Sequence, residues 1–257
     1  MLKNIYNNFR AARINKDDKT KKNITSYANG GYLEVEGWGV DKELIELIST
    51  LDNFQKDENI YGPLWEIGVH HGRTLILFGM LARDNEPIIG VDLFEDAQEQ
   101  NLDLSGSGSY TSLMKNLNKF TPDVTYDIYT ANSFYLENEI IDKITNARLC
   151  HIDGGHTLEV VMNDLSIAQS TIGEGGIIII DDYLHSGFPE VQEAVHKFFN
   201  RSTNIRAIPF GIGKNKLFLI NIIYHKKIMR YLNDILSDSR NKNVKVMGYD
   251  SFCVDPH

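Results

Sequence analysis

The chain has 257 residues, of which 42% are hydrophobic and 24% charged, and its formal net charge is −9. This composition is typical of a folded protein, and the length suits one large α/β domain with an appended segment. The negative charge argues against nucleic acid as a partner, because phosphate backbones are bound by positively charged surfaces.

The two cysteines, Cys150 and Cys253, are far apart in the sequence, and Cys150 falls in a predicted buried strand. This pattern indicates no disulfide framework and fits a reducing cytosol. The first residues lack the apolar core of a signal peptide, and no stretch approaches about 18 consecutive apolar residues. We therefore expect a cytoplasmic protein without a membrane span.

The polar start of the chain, residues 1–30, predicts a helix followed by a mobile arm. An aromatic patch covers residues 32–38, and Asp41 is placed to cap a helix that continues through Leu51. The first strand of the sheet, residues 64–67, follows this helix.

A glycine turn joins the first strand to a helix predicted over residues 75–82, with Gly68 and Gly72 in a GxxxG spacing. Glycine lets backbone approach a ligand closely, and the free amides at a helix start favour an anionic group. The spacing differs from GxGxxG, which argues against a dinucleotide-binding fingerprint.

The second strand, residues 87–91, ends at Asp92, the position of a ribose-binding acid in nucleotide-binding α/β folds. The alternative role for Asp92 is that of a turn residue.

The polar loop over residues 95–108 that follows is of a length usually found in lids or disordered segments. A helix over 110–120 and a strand over 124–129 come next, and Asn132 or Ser133 is a candidate cap for a helix over 136–144.

Two short aliphatic runs, residues 147–152 and 177–180, predict buried strands, and the periodic stretch 158–172 between them predicts a crossover helix. The carboxyl ends of parallel strands share one crevice. We therefore expect the polar residues that follow these strands to meet there; they are Asp153, His156, Asp181 and Asp182.

Three carboxylates beside an imidazole suggest a divalent cation, and the oxygen ligands favour Mg²⁺ held by Asp153, Asp181 and Asp182. In the alternative reading, Asp181 caps the following turn and Asp182 is solvated. His156 titrates near neutrality and suits a general base. Its alternative role is to cap the next helix or to orient Asp153.

The rest of the chain predicts a helix over residues 189–199, a hairpin of strands 205–210 and 217–222, and a terminal helix with a loosely held tail. The predicted fold is α/β: a Rossmann-like, seven-stranded, mostly parallel sheet with helices on both faces and an antiparallel C-terminal hairpin strand. The predicted units are an N-terminal helical or lid segment (1–58), the main domain (59–223) and a C-terminal helix and tail (224–257).

Several ordered motifs together resemble the class I S-adenosylmethionine-dependent methyltransferases, in particular the metal-dependent macrocin O-methyltransferase type and related bacterial glycan O-methyltransferases. The resemblance covers roughly residues 60–222. The motifs are Glu66-Ile67-Gly68-Val69-His70-His71-Gly72, Gly90-Val91-Asp92, residues 100–106, Ile152-Asp153-Gly154-Gly155-His156 and Asp181-Asp182.

The resemblance implies S-adenosylmethionine as cofactor, Mg²⁺ at the three acids, and methyl transfer to a hydroxyl of a sugar or glycosylated small molecule. It assigns the cofactor to Glu66, Gly68, Gly72, Asp92, Asn132 and Ser133. The chain departs from the family at two positions. Asn132 stands where the family usually has an acid, and Gly155 stands where some sugar methyltransferases have a carboxylate that acts as the general base.

Because Gly155 removes that carboxylate, His156 is the favoured base, and His70, His71 and His185 are rivals. A metal-dependent hydrolase or a non-catalytic cofactor-binding protein is the alternative function. The glycine turn with Asp92 argues against the hydrolase, and the intact acid and histidine set argues against loss of catalysis. The sequence leaves homo-oligomerisation open.

Overall fold

Strands and helices alternate through most of the computed structural model, which describes residues 20, 22–103, 106–235 and 242–254. The strands are β1 Leu64–Ile67, β2 Ile88–Asp92, β3 Asp127–Thr130, β4 Ala147–Ile152, β5 Ile172–Ile180, β6 Ala207–Gly213, β7 Lys216–Asn221, β8 Lys242–Val246 and β9 Tyr249–Cys253. The helices are α1 (residues 22–28), α2 Lys42–Asp57, α3 Arg73–Leu81, α4 Tyr110–Phe120, α5 Asn138–Ile144, α6 Leu158–Thr171, α7 Pro189–Arg201 and α8 His225–Ile235.

Within the described residues these strands form one sheet in the order β3-β2-β1-β4-β5-β7-β6-β9-β8. The first five in this order run parallel, and β7 lies antiparallel between β5 and β6. The mostly parallel Rossmann-like sheet with an antiparallel hairpin is therefore confirmed. The hairpin turn is tighter than predicted, because Lys214 and Asn215 both adopt positive φ and form a two-residue turn.

Helices cover both faces of the sheet, as predicted. Side chains alternate along each strand, so Ile177 and Ile179 pack in one core layer while Ile178 and Ile180 pack in the other. The first layer includes residues of α2, α3, α4 and α8, and the second includes residues of α5, α6 and α7. Among the described residues, no helix is both long and apolar enough to cross a bilayer.

The expectation of a loosely held C-terminal tail is wrong for residues 242–254. They form the β8–β9 hairpin, whose turn has positive φ at Met247 and Gly248. Strand β9 extends the sheet by pairing with β6, and Phe252 is buried there. The two extra strands explain why the sheet has nine strands rather than seven; their polar sequences carry little periodic signal, and the exposed edge of β6 supplies the pairing.

Residues 22–28 form α1, so the expectation of a mobile arm is also wrong for these residues. The helix predicted near the start of the chain lies outside the described residues. Tyr27 is only 1% exposed, and its hydroxyl donates to the carbonyl oxygen of Arg73 at 2.8 Å. Its ring packs edge-on against Phe120 with centroids 5.2 Å apart. A single aromatic residue thus anchors a polar segment through partners that are distant in sequence.

Arg148, at the start of β4, is fully buried and joins three parts of the fold. Its guanidinium donates two hydrogen bonds to the carboxylate of Glu86, at 2.8 and 2.9 Å. It also donates to Asp52 and Gln55 of α2, both at 2.9 Å. Because planar guanidinium groups match carboxylates in this bidentate geometry, Arg148 fixes α2 against the sheet.

We predict that Arg148→Met will lower the free energy of unfolding by about 3–5 kcal/mol, since it removes the bidentate partner of the Glu86 carboxylate and one of the three cationic partners of Asp52. Urea denaturation measures the effect. The control is Arg201→Met, which removes an exposed arginine of α7 and should change stability by less than about 0.5 kcal/mol. Equal stabilities for the two variants would contradict a stabilising role for the Arg148 network.

Candidate active site

A cleft of about 880 Å³ lies where the carboxyl ends of the parallel strands meet. The turns after β1, β2, β3, β4 and β5 all contribute to its wall. The structure therefore brings together every residue assigned from the sequence except Gly72. The predicted residues that line the cleft are Glu66, Gly68, Asp92, Asn132, Ser133, Asp153, His156, Asp181 and Asp182.

The two glycines of the β1–α3 turn are required by packing within the protein. Gly68 has φ of +84°, and a Cβ there would overlap the carbonyl oxygen of Asp153. Gly72 has φ of +90° at the start of α3, and a Cβ there would lie 2.5 Å from Leu113 Cδ1. Gly68 thus lets the turns after β1 and β4 touch, whereas Gly72 lets α4 pack against α3.

Asp92 organises the same turn from the end of β2. Its Oδ2 accepts from the amide of His70 at 2.7 Å, and its Oδ1 accepts from the amide of Phe94 at 2.9 Å. Asp92 also lines the cleft. A carboxylate oxygen accepts more than one hydrogen bond, so the turn-forming role leaves acceptor capacity toward a ligand.

The turn after β3 is held by Asn132, whose side-chain oxygen accepts from the amide of Phe134 at 3.0 Å. The cap belongs to a short 3-10 helix, Ser133–Tyr135, rather than directly to α5. Asn132 Nδ2 also donates to Gln100 at 3.1 Å, which joins this turn to the 95–108 loop. Asn132 and Gln100 lie at the end of the cleft farthest from β5.

A buried ionic chain forms the cleft floor. Glu66 and His151 are paired in register on β1 and β4, and His151 Nδ1 lies 2.7 Å from Glu66 Oε1. His151 Nε2 is 3.6 Å from Asp181 Oδ2. Burial opposes protonation of His151, but the neighbouring carboxylates of Asp181 and Glu66 raise its pKa to about 9. His151 therefore carries a positive charge at neutral pH.

Lys216, the first residue of β7, completes this chain. It is fully buried, and its Nζ forms an ion pair with Asp181 Oδ2. Although burial raises it, the Lys216 charge holds the pKa of Asp181 well below its usual range. The sequence analysis did not identify His151 and Lys216. The available signal was the presence of basic residues in two mostly apolar strands, since buried basic residues are usually paired.

His156 lies between two carboxylates at the open side of the cleft. Its Nδ1 is 2.9 Å from Asp103 Oδ2, and its Nε2 is 2.8 Å from Asp182 Oδ2. Its ring stacks on Phe188 with centroids 3.8 Å apart. Burial lowers the pKa of His156, but Asp182 and Asp103 outweigh burial and raise it. Asp103 comes from the long loop, where sequence gave no reason to single it out.

The three predicted metal ligands lie at one edge but fall into two overlapping groups. Ligand atoms within 4.8 Å of one another occur in the set His151, Asp153 and Asp181, and in the set Asp153, His156 and Asp182. Burial and the nearby Asp181 charge raise the pKa of Asp153 well above its usual value. Asp153 thus belongs to both groups, whereas Asp181 and Asp182 belong to different ones.

Part of the aromatic patch and part of the long polar loop also line the cleft. Residues 36–39 belong to its lining, and the Trp38 ring lies 5.3 Å from the ring of His70. Residues 98 and 100–102 of the loop line it as well. The rival histidines His70, His71 and His185 also line the cleft. Trp38 is 72% exposed, so its ring is accessible to a ligand.

Comparisons with known proteins agree with this geometry. A family model described as a methyltransferase domain matches residues 65–183. An uncharacterized protein, R132, of Acanthamoeba polyphaga mimivirus is 28% identical over 194 residues, covering 70% of this chain and 77% of R132.

Two solved structures share the fold. The O-methyltransferase NovP has a TM-score of 0.55 and 18% identity, with 71% of this chain and 81% of NovP covered. CalS11, described as a TDP-rhamnose 3′-O-methyltransferase, has a TM-score of 0.52 and 16% identity, with 80% of this chain and 93% of CalS11 covered. Residues 65–183 therefore match a methyltransferase domain, and the chain shares the fold of these two O-methyltransferases.

Proposed function

We propose that the protein methylates a hydroxyl group of a sugar or glycosylated small molecule, with S-adenosylmethionine as methyl donor and Mg²⁺ as a second cofactor. The observation that carries this proposal is the position of His156. The imidazole is held by Asp103 and Asp182 beside Asp153, at the β4–β5 end of a cleft whose other end suits a nucleoside.

The order of the strands supports the placement of the cofactor. The sheet order β3-β2-β1-β4 sets Asn132 and Ser133, then Asp92, then Glu66 and Gly68 along one edge of the cleft. We assign the adenine to the first pair, the ribose to Asp92, and the amino-acid end to the β1 turn. Glu66 Oε2 is buried and makes no hydrogen bond within the described residues, which fits an acceptor for the cofactor ammonium. Gly72 contributes by packing α4 rather than by contact.

The reacting groups then meet next to β4. When bound, S-adenosylmethionine would supply an electrophilic methyl group to the acceptor hydroxyl, with its C–S bond broken as the C–O bond forms and the hydroxyl proton passing to a base. His156 accepts the hydroxyl proton at Nε2 once the acceptor replaces the contact of Nε2 with Asp182, and Asp103 holds the Nδ1–H. The wall of the cleft orients the two reactants, which reduces the entropic part of the barrier.

The donor set near His156 fits a divalent cation. Carboxylate oxygens suit Mg²⁺, which commonly takes one or two protein carboxylates and keeps several waters. Asp153 and Asp182 have ligand atoms within 4.8 Å of each other and of His156. A cation bound there would act as a Lewis acid that favours loss of the acceptor proton.

The sugar acceptor is inferred from the mouth of the cleft and from one structural neighbour. An accessible Trp38 ring provides a flat apolar surface, and Glu36 and His71 place polar groups near it. The printed description of CalS11 names a sugar substrate. We propose that residues 36–39 and the 98–103 loop segment close over this acceptor, because loops at strand ends commonly select substrate in such folds.

We predict that calorimetry will show binding of S-adenosylhomocysteine, and that Asp92→Ala will weaken it at least tenfold. The reason is loss of the ribose acceptor together with its support of the β1 turn. Glu193→Ala, which changes an exposed residue of α7, is the control and should bind normally. Binding of NAD without binding of S-adenosylhomocysteine would refute the cofactor assignment.

For the base, we predict that His156→Ala retains S-adenosylhomocysteine affinity but loses on the order of 10² to 10⁴ in turnover, the usual contribution of a positioned base. Turnover is measured with an acceptor found by screening nucleotide sugars and glycosides. His196→Ala on α7, outside the cleft, is the matched control. Near-normal turnover of His156→Ala would transfer the base role to His70, His71 or His185.

For the cation, we predict that chelation abolishes methyl transfer while leaving S-adenosylhomocysteine affinity within about threefold. The cofactor is assigned to Asp92 and the β1 turn, and a bound cation polarises only the acceptor. Transfer activity is measured after treatment with a chelator, and readdition of Mg²⁺ should restore it. Full activity in the chelator would remove the cation from the proposed mechanism.

A further inference from the structure

We propose that the ammonium group of Lys216 takes the place of a metal ion at Asp181. The divalent cation is then held by Asp153 and Asp182, without Asp181. This inference rests on the proposed function and reassigns one of the three acids predicted as ligands. Asp181 then becomes a positioning residue that is bound inside the protein rather than to the metal.

The register of the sheet determines where Lys216 lies. Strand β7 runs antiparallel to β5, with Leu217 opposite Ile180. The residue before Leu217 therefore lies beside the residue after Ile180, and these are Lys216 and Asp181. A fully buried lysine needs an anionic partner, and Asp181 is the carboxylate with which Lys216 forms an ion pair.

Both oxygens of Asp181 already have partners inside the protein. Oδ2 contacts Lys216 Nζ and lies 3.6 Å from His151 Nε2, and Oδ1 accepts from the amide of Asp182 at 2.8 Å. The backbone at Gly39 covers this pair, because a Cβ there would lie 2.7 Å from Asp181 Oδ2 and 3.1 Å from Lys216 Nζ. A metal ion at Asp181 would have to displace the ammonium of Lys216, which is fully buried.

The charge of Asp181 is also balanced without a metal, because Asp181 forms an ion pair with the fully buried Lys216. A divalent cation placed on Asp181 would lie close to the positive ammonium of Lys216. The repulsion between the two cations would be strong, since a buried site screens charge poorly.

The surroundings of Asp153 and Asp182 differ in this respect. Among the described residues, neither forms an ion pair with a lysine or arginine. Asp182 accepts from Asn215 Nδ2 at 2.6 Å and contacts His156, and both partners lie at the open side of the cleft. These two carboxylates therefore provide a cation position that the ammonium of Lys216 does not fill.

The test measures Mn²⁺ binding by the loss of the free-ion signal in electron paramagnetic resonance, using the full-length protein. We expect the wild type to bind Mn²⁺, and Asp182→Asn to weaken binding at least tenfold. The decisive protein is the double variant Asp181→Asn/Lys216→Met, which removes both charges together and leaves no unpaired buried ion. We expect its Mn²⁺ affinity to remain within threefold of the wild type.

If the double variant fails to fold, a second variant still tests the inference. Lys216→Met alone releases Asp181 as an additional carboxylate, so Mn²⁺ affinity should rise at least threefold. Lys214→Met, which removes a neighbouring lysine paired with Asp41 and Glu43, should leave affinity unchanged. Weaker binding in Lys216→Met, a double variant as weak as Asp182→Asn, or a wild type that binds no Mn²⁺ would each overturn the inference.

Calorimetry with S-adenosylhomocysteine on the same preparations separates this inference from the proposed function. Loss of that binding in the wild type would refute the methyl-donor assignment, whatever the Mn²⁺ result. Normal cofactor binding with loss of Mn²⁺ affinity in the double variant would refute only the reassignment of Asp181.

Discussion

The structure depends on the requirement that charges buried at the strand ends neutralise one another. Glu66 comes from β1, His151 from β4, Asp181 from the end of β5 and Lys216 from β7, so four chain segments contribute one charge each. A buried charge without its partner is strongly unfavourable. The ionic chain therefore fixes how these strand ends lie relative to one another and gives the cleft a preformed floor.

Close backbone packing links this floor to the regions assigned to the cofactor. A side chain at Gly68 would overlap the carbonyl of Asp153, so the turns after β1 and β4 are in direct contact. Asp92 holds the β1 turn through the amide of His70. The residues assigned to the methyl donor and those assigned to proton transfer consequently share one wall, and small shifts of either turn would be felt by the other.

Chemistry at the open side depends on segments that are distant in sequence. Asp103 approaches His156 from the long loop, Asn215 approaches Asp182 from the β6–β7 turn, and Gly39 covers Asp181 from the N-terminal side. Asp182 itself adopts a φ of +55°, a conformation that non-glycine residues seldom adopt and that often accompanies functional sites. The same carboxylate can thus bind His156 and Asn215 while its neighbour Asp181 pairs with the buried Lys216.

Most strands and helices between residues 64 and 222, and the cluster of polar residues after the parallel strands, could be predicted from the sequence, because local periodicity marks elements and parallel strands align their carboxyl ends. It did not determine the β8–β9 hairpin or the anchoring of Tyr27, which depend on an available sheet edge and on core partners far along the chain. Only the tertiary structure separated Asp181 from Asp182 and revealed His151, Lys216 and Asp103. The roles of these side chains are set by burial and by pairing between distant segments, and neither is encoded in local spacing.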